Sequence, residues 1–216
     1  MQKSVYSLVL MDDVVAAVDR LAYAAGTSRS NMINRILAEY ASLDTPEQRI
    51  QDVFSVISAV IEQQSVLQPM LSASDAMLSL RSALQYKYNP SVRYVVELYP
   101  HIDAEMGEMR AGLRTQNPTL LLYLSQFFRL WTKLEANYLS GPPRTYNAES
   151  GRFTRVFLTP QNGFSADSAG QAIADYIALF DTCLKNYFDY LNDAPAAVRT
   201  TEQLYRQYLD AATAQV

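Results

Sequence analysis

The spacing of apolar residues changes repeatedly along this chain, and each change predicts an element. Val5-Tyr6-Ser7-Leu8-Val9-Leu10 alternates, with Tyr6, Leu8 and Leu10 on one side and Val5, Ser7 and Val9 on the other, as in a short strand. Asp12 and Asp13 then open a helix, acids in the first turn being favoured by the helix dipole. Val14, Val15, Val18, Leu21, Ala22 and Ala25 form its stripe, and Gly26 ends it. Ser28 is a natural N-cap for a second helix, whose apolar face is Met32, Ile33, Ile36, Leu37 and Tyr40. A lone six-residue strand cannot satisfy its own backbone. The economical solution is a homodimer that pairs the strand with its copy across a two-fold axis.

The order strand, helix, Gly26-Thr27-Ser28-Arg29-Ser30-Asn31-Met32-Ile33 and apolar helix resembles the ribbon-helix-helix repressors of the MetJ/Arc/CopG class, over about Lys3 to Leu43. The resemblance implies a dimer that binds double-stranded DNA sequence-specifically, with its two-stranded ribbon in the major groove. On that reading Lys3, Val5, Ser7 and Val9 face the base edges. Ser28, Arg29 and Ser30, at the start of the second helix, meet a phosphate. The chain departs from the class in lacking long polar or basic readers on the ribbon. Val5 and Val9 suit thymine methyls, and Ser7 offers one hydrogen bond. Residues 1–44 also carry more acids (Asp12, Asp13, Asp19, Glu39, Asp44) than bases (Lys3, Arg20, Arg29, Arg35). The alternative is a module that only dimerises, in an interaction or scaffold protein.

Residues 45–72 read as a connecting helix started by Thr45-Pro46-Glu47. Ile50, Val53, Ile57, Val60, Gln64, Leu67 and Leu71 recur at heptad spacing, widened by Phe54 and Ile61. Two readings stand: a coiled-coil-like extension of the dimer, or an amphipathic helix packed on the next domain. From about Met77 the period becomes two, and residues 73–216 read as an α+β domain. Leu78, Leu80, Leu84, Tyr86 and Tyr88 oppose Ser79, Arg81, Ala83, Gln85 and Lys87. Asn89-Pro90-Ser91 turns the chain, and Val92, Tyr94, Val96 and Leu98 oppose Arg93, Val95, Glu97 and Tyr99. Gly107, Met109, Ala111 and Leu113 oppose Glu108, Arg110, Gly112 and Arg114. These predict a three-stranded antiparallel meander. Helices are expected from about Thr119 to Leu139, Asp167 to Leu191 and Thr200 to Ala214, with a fourth strand from Phe153 to Leu158. Strands first and helices after argue for an antiparallel sheet covered by helices.

Composition narrows the function. Of 216 residues, 49% are hydrophobic, enough for a packed core, and the net charge of -4 argues against binding nucleic acid through bulk positive charge. One cysteine, Cys183, and one histidine, His101, exclude a disulfide framework and a Cys- or His-pair zinc site, and leave little for triad catalysis. There is no glycine-rich phosphate loop, nucleophile elbow or acid-rich metal loop. No cofactor, metal or catalytic residue is expected. His101 reads as solvated, Cys183 as a packing residue and Trp131 with its aromatic neighbours as core. Tyr86, Tyr88, Tyr94 and Tyr99 either line a pocket or finish a half-wet sheet. No membrane span or leader is evident, so the expected compartment is the cytoplasm.

One surface stands out. Arg81, Lys87, Arg93, Arg110 and Arg114 alternate onto the sheet's non-core side. Either that face is simply solvated, or it takes a small-molecule anion or an acidic protein partner. The expected whole is a cytoplasmic DNA-binding regulator, at least dimeric, with a C-terminal sensing or oligomerisation domain.

Overall fold

The computed structural model describes residues 5–41, 43, 45–64, 67–139, 141–149, 151–159 and 164–211. It divides into two compact units, Met1–Arg49 and Ile50–Val216.

In the first unit, α1 (Asp12–Ala24) and α2 (Arg29–Tyr40) are joined by a tight turn. Gly26 adopts φ +62°, which a side chain would strain. The amide of Thr27 donates to the carbonyl of Ala22 (2.9 Å) and that of Gly26 to Tyr23 (3.2 Å), closing a Schellman motif. The Ser28 hydroxyl accepts from the Asn31 amide at 3.2 Å, capping α2. Val18, Ala22 and Met32 are buried, with Ile33 packed against them. The expected strand over Val5–Leu10 is not formed: residues 5–11 belong to no helix or strand, and the first element is α1. A strand exists only beside another, and among the described residues of one chain none lies beside it.

The second unit is α+β. α3 (Pro46–Gln64) runs into it, with Val53, Ile57 and Ile61 wholly inaccessible in its core. The heptad pattern therefore belongs to a helix packed on its own domain. The helix ends at Gln64, and Leu71, the last expected seam residue, is 95% exposed. Gly170 shows how closely α3 packs: a Cβ there would stand 2.7 Å from Val56.

The sheet contains β1 (Gln68–Met70), β2 (Met77–Ala83), β3 (Ser91–Leu98), β4 (Glu105–Gly112), β5 (Tyr146–Glu149) and β6 (Arg152–Leu158). Their order is β1-β2-β3-β4-β6-β5, and every pairing is antiparallel. The β2–β3–β4 meander forms as its alternation predicts, and the β4–β6 pairing carries a register shift between Glu105 and Gly107. Leu80, Tyr94, Val96, Met109, Phe153 and Phe157 are buried on the inner face. α4 (Pro118–Tyr138) and α5 (Ala166–Asp189) meet that face through stacked and edge-on rings, including Phe128 on Phe153 and Phe180 on Tyr94. α6 (Ala194–Ala211) packs on α5, with Tyr205 against Trp131. Helices thus cover one face of the sheet, the arrangement its segregated periodicities imply.

Candidate nucleic-acid interface

The residues expected to read bases stand on the segment before α1. Val5 and Val9 are fully exposed and Ser7 is exposed, whereas Leu8 and Leu10 fall to 60% and 39%. Tyr6, on the same side as Leu8 and Leu10, is 82% exposed, so the whole segment is exposed and only Leu8 and Leu10 are partly screened. Lys3 lies outside the described residues.

The residues expected at a phosphate behave differently from one another. Ser28 spends its hydroxyl on the cap, and Ser30 is exposed in the first turn of α2. The helical ladder begins with the Met32 amide donating to the Ser28 carbonyl (2.9 Å), so the amides of Arg29 and Ser30 lie ahead of it. Arg29 is exposed and engaged within the unit. Its Nε and a terminal nitrogen donate to both oxygens of Asp19 at 2.6 Å, a forked pair joining α2 to α1. Those hydrogen bonds hold the Asp19 carboxyl below the ordinary carboxylate value and raise the Arg29 guanidinium. The pair neutralises the cation nearest the expected phosphate.

The apolar surface of the first unit is large for its core. Leu21 (52%), Leu37 (54%) and Leu43 (61%) are exposed, as are Tyr40, Val14 and Ile36, around only three buried side chains among the described residues. Burying one such side chain fully is worth about 1.5–3 kcal/mol.

On the second unit's sheet the expected basic face is rearranged. Lys87 is not on it: β2 ends at Ala83, and Lys87 lies in the β2–β3 connection, where Tyr88 and Asn89 take positive φ. Arg114 lies beyond the end of β4. Arg110 ion-pairs with Glu97 and, at 3.0 Å, with Glu108. Arg81 and Arg93 stand directly opposite each other. Arg152 shares their face through Gly112. Sequence reasoning starts the fourth strand one residue late and so misses it; extending the alternation of Thr154 and Val156 backwards finds it.

Two polar clusters lie in the core, unforeseen from the sequence. Asp181, 1% exposed, accepts from Tyr94 (2.8 Å) and Ser82 (3.1 Å) and pairs with Lys185 (2.7 Å). Burial, and then the Asp181 charge, push the Tyr94 phenol well above its ordinary value. Arg155 pairs with Glu135 at 3.4 Å, both inaccessible, and lies over the Tyr176 ring at 4.4 Å. Tyr94, expected in a pocket or on a half-wet face, is instead core.

Among the described residues no group of His, Cys, Asp and Glu could hold a metal ion, and no helix is long and apolar enough to cross a membrane. In comparisons with known proteins, no family model, curated protein or solved structure matches this chain.

Proposed function

We propose that the chain is a DNA-binding transcriptional regulator whose first unit is a ribbon-helix-helix module completed by a second copy. The observation that carries this reading is the exposed apolar segment Val5–Met11, followed directly by the α1–Gly26–α2 hairpin. Pairing with a second copy supplies the missing backbone partners and covers the side of Leu8 and Leu10 together with exposed leucines of α1 and α2. Val5, Ser7 and Val9, and Lys3 before them, are left to face the major groove, and the amides of Arg29 and Ser30 a phosphate. The second unit then serves as the sensing or oligomerising part.

One observation favours a second reading, a dimerising module of an interaction or scaffold protein. Arg29 is held by Asp19, and Val5 and Val9 make an apolar outer side. Selecting bound duplexes from a random pool separates the two. On the first reading the full chain is a dimer at micromolar concentration by light scattering and enriches a two-fold-related site. Ser7→Ala then loses about 1–3 kcal/mol of discrimination at one base pair per half-site. A dimer that enriches no sequence supports the second reading. A monomer refutes both.

A further inference from the structure

The outer face of the second unit's sheet carries a cross-strand row of arginines. Its register runs Gln68, Arg81, Arg93, Gly112, Arg152 from β1 through β2, β3 and β4 to β6. Residues directly opposite across a ladder share a face, so the three arginines point the same way. All three are exposed. Strands lie roughly 4.8 Å apart, so the row is about 14 Å long, with Gly112 between Arg93 and Arg152.

Among the described residues, Arg81 and Arg93 have no carboxylate partner. Arg81 donates to Gln68 (3.0 Å) and Arg93 to Ser79 (3.3 Å), both neutral. Among the described residues no ion pair joins Arg81, Arg93 or Arg152 to a carboxylate, although Glu149 stands opposite Arg152. Two rows along the same strands, Glu97 and Glu108 oppose each other with Arg110 bound to both. Like charges opposed on a sheet destabilise it. The acidic end is relieved by Arg110, whereas the Arg81–Arg93 contact has no such relief, in a chain whose net charge is -4.

We propose that this row binds the sugar–phosphate backbone of duplex DNA, as a sequence-independent contact additional to the N-terminal module. It rests on the reading that the chain engages DNA. A line of three charges on an open face matches a line of anionic charges better than one small anion, which needs an enclosing pocket. Arginine forks suit phosphate oxygens. A second copy has little to offer here, since Glu97 and Glu108 of its corresponding face are already engaged. An acidic protein partner would need a dry apolar centre in its interface. Between the arginines this face presents Gly112, and the next row is Ser79, Val95, Arg110 and Thr154, in which half-buried Val95 is the one apolar side chain. Phosphate binding needs no apolar burial, because released counterions drive it.

The test is fluorescence anisotropy of the full chain with a random-sequence duplex of several helical turns, across a salt series. Wild type is compared with Arg81→Gln/Arg93→Gln/Arg152→Gln, the same sites changed to Lys, Arg199→Gln as an exposed-charge control on α6, and Val5→Asp/Val9→Asp in the N-terminal segment. The expected result is that the triple Gln variant binds more weakly. The slope of log affinity against log salt should shrink by about 2–3, near 0.9 for each phosphate no longer neutralised. The Lys variant should restore most of it, and Arg199→Gln should change nothing. A triple Gln variant that keeps the wild-type slope, while Val5→Asp/Val9→Asp abolishes binding, overturns the row and leaves the N-terminal reading standing. Binding lost in the triple Gln variant but untouched in Val5→Asp/Val9→Asp supports the row and overturns the N-terminal reading. No binding by wild type at low salt overturns both. Competition by polyglutamate as effective as that by duplex DNA overturns the choice of phosphate. Matching thermal melts across the variants establish that each is folded.

Discussion

Replacing Arg155 by Met tests how the core of the second unit tolerates charge. Arg155 is 1% exposed, pairs with Glu135 at 3.4 Å, and lies 4.4 Å from the Tyr176 ring centre and 5.3 Å from that of Phe157. Removing one member of a buried pair leaves the other desolvated, at a cost of about 3–5 kcal/mol. Losing a desolvated cation–π interaction adds up to about 2 kcal/mol. Arg155→Met should therefore destabilise the unit by about 4–6 kcal/mol. Glu135→Gln strands Arg155 instead and should cost about 3–5 kcal/mol. The double variant removes both charges, and Gln keeps an acceptor near the hydroxyls of Tyr146 and Tyr176. It should cost only about 2–3 kcal/mol, chiefly the ring interactions. Urea unfolding followed by Trp131 fluorescence reports on this unit directly. Trp131 is the only tryptophan, is fully buried, and donates to the Tyr176 hydroxyl at 2.8 Å. A double variant whose loss equals the sum of the two single losses within about 0.5 kcal/mol would refute the reasoning, because uncoupled sites add in that way.

Cys183 is inaccessible and burial pushes its thiol up to about 12, so it should resist a disulfide reagent at pH 8 in the native protein and react fully in urea. The same shift gives stability a sign. Unfolded cysteine ionises near 8.5, so the unfolded state sheds its proton first and stability should fall as pH rises from about 8.5 towards 12. Burial raises Tyr94, Tyr176 and Tyr205 too, which should steepen the fall above about pH 10; a flat urea midpoint across this range would contradict it. Gly151 takes φ +74°, and a Cβ there would lie 2.4 Å from Leu121 Cδ2. Gly151→Ala should therefore cost about 1–2 kcal/mol, measured as a lower thermal midpoint, and an unchanged midpoint would contradict this turn geometry.

The meander was legible because β2, β3 and β4 each put apolar residues on one face at period two, and three such strands in succession leave few arrangements. β1 and β5 were not. Gln68–Met70 and Tyr146–Glu149 are short edge strands with mostly exposed side chains, so burial prints no alternation on them. Register was the weak point. Alternation allowed Arg93 to face Arg81 or Lys87 on one side and Arg110 or Arg114 on the other. In the fold it faces Arg81 and Gly112, because the connection at Tyr88 and Asn89 takes Lys87 off the sheet. Arg155 and Asp181 were illegible for a different reason. A charged residue at a core position reads as a break in the pattern until the chain supplies its partner from Glu135 or Lys185, on another element or a helical turn away.

In the first unit only the two helices and the turn between them were legible, because their signals are local. The Gly26 turn and the Ser28 cap involve neighbours a few residues apart, and both form as their residue types imply. The strand expected before them is absent: residues 5–11 belong to no helix or strand. What remains visible is the imbalance between the unit's exposed apolar surface and its small core. Exposed Leu21, Leu37 and Leu43 surround three buried side chains among those described, a small core for a unit of this size. Arg29 adds a constraint on the DNA-binding reading. If a phosphate approaches α2, it must either accept the amides of Arg29 and Ser30 while the Arg29–Asp19 fork stays closed, or draw Arg29 from Asp19. In the first case Asp19→Asn should tighten binding to every duplex, by removing a carboxylate near the phosphate. In the second it should also enlarge the salt slope by about 0.9, as one further phosphate is neutralised without an internal competitor.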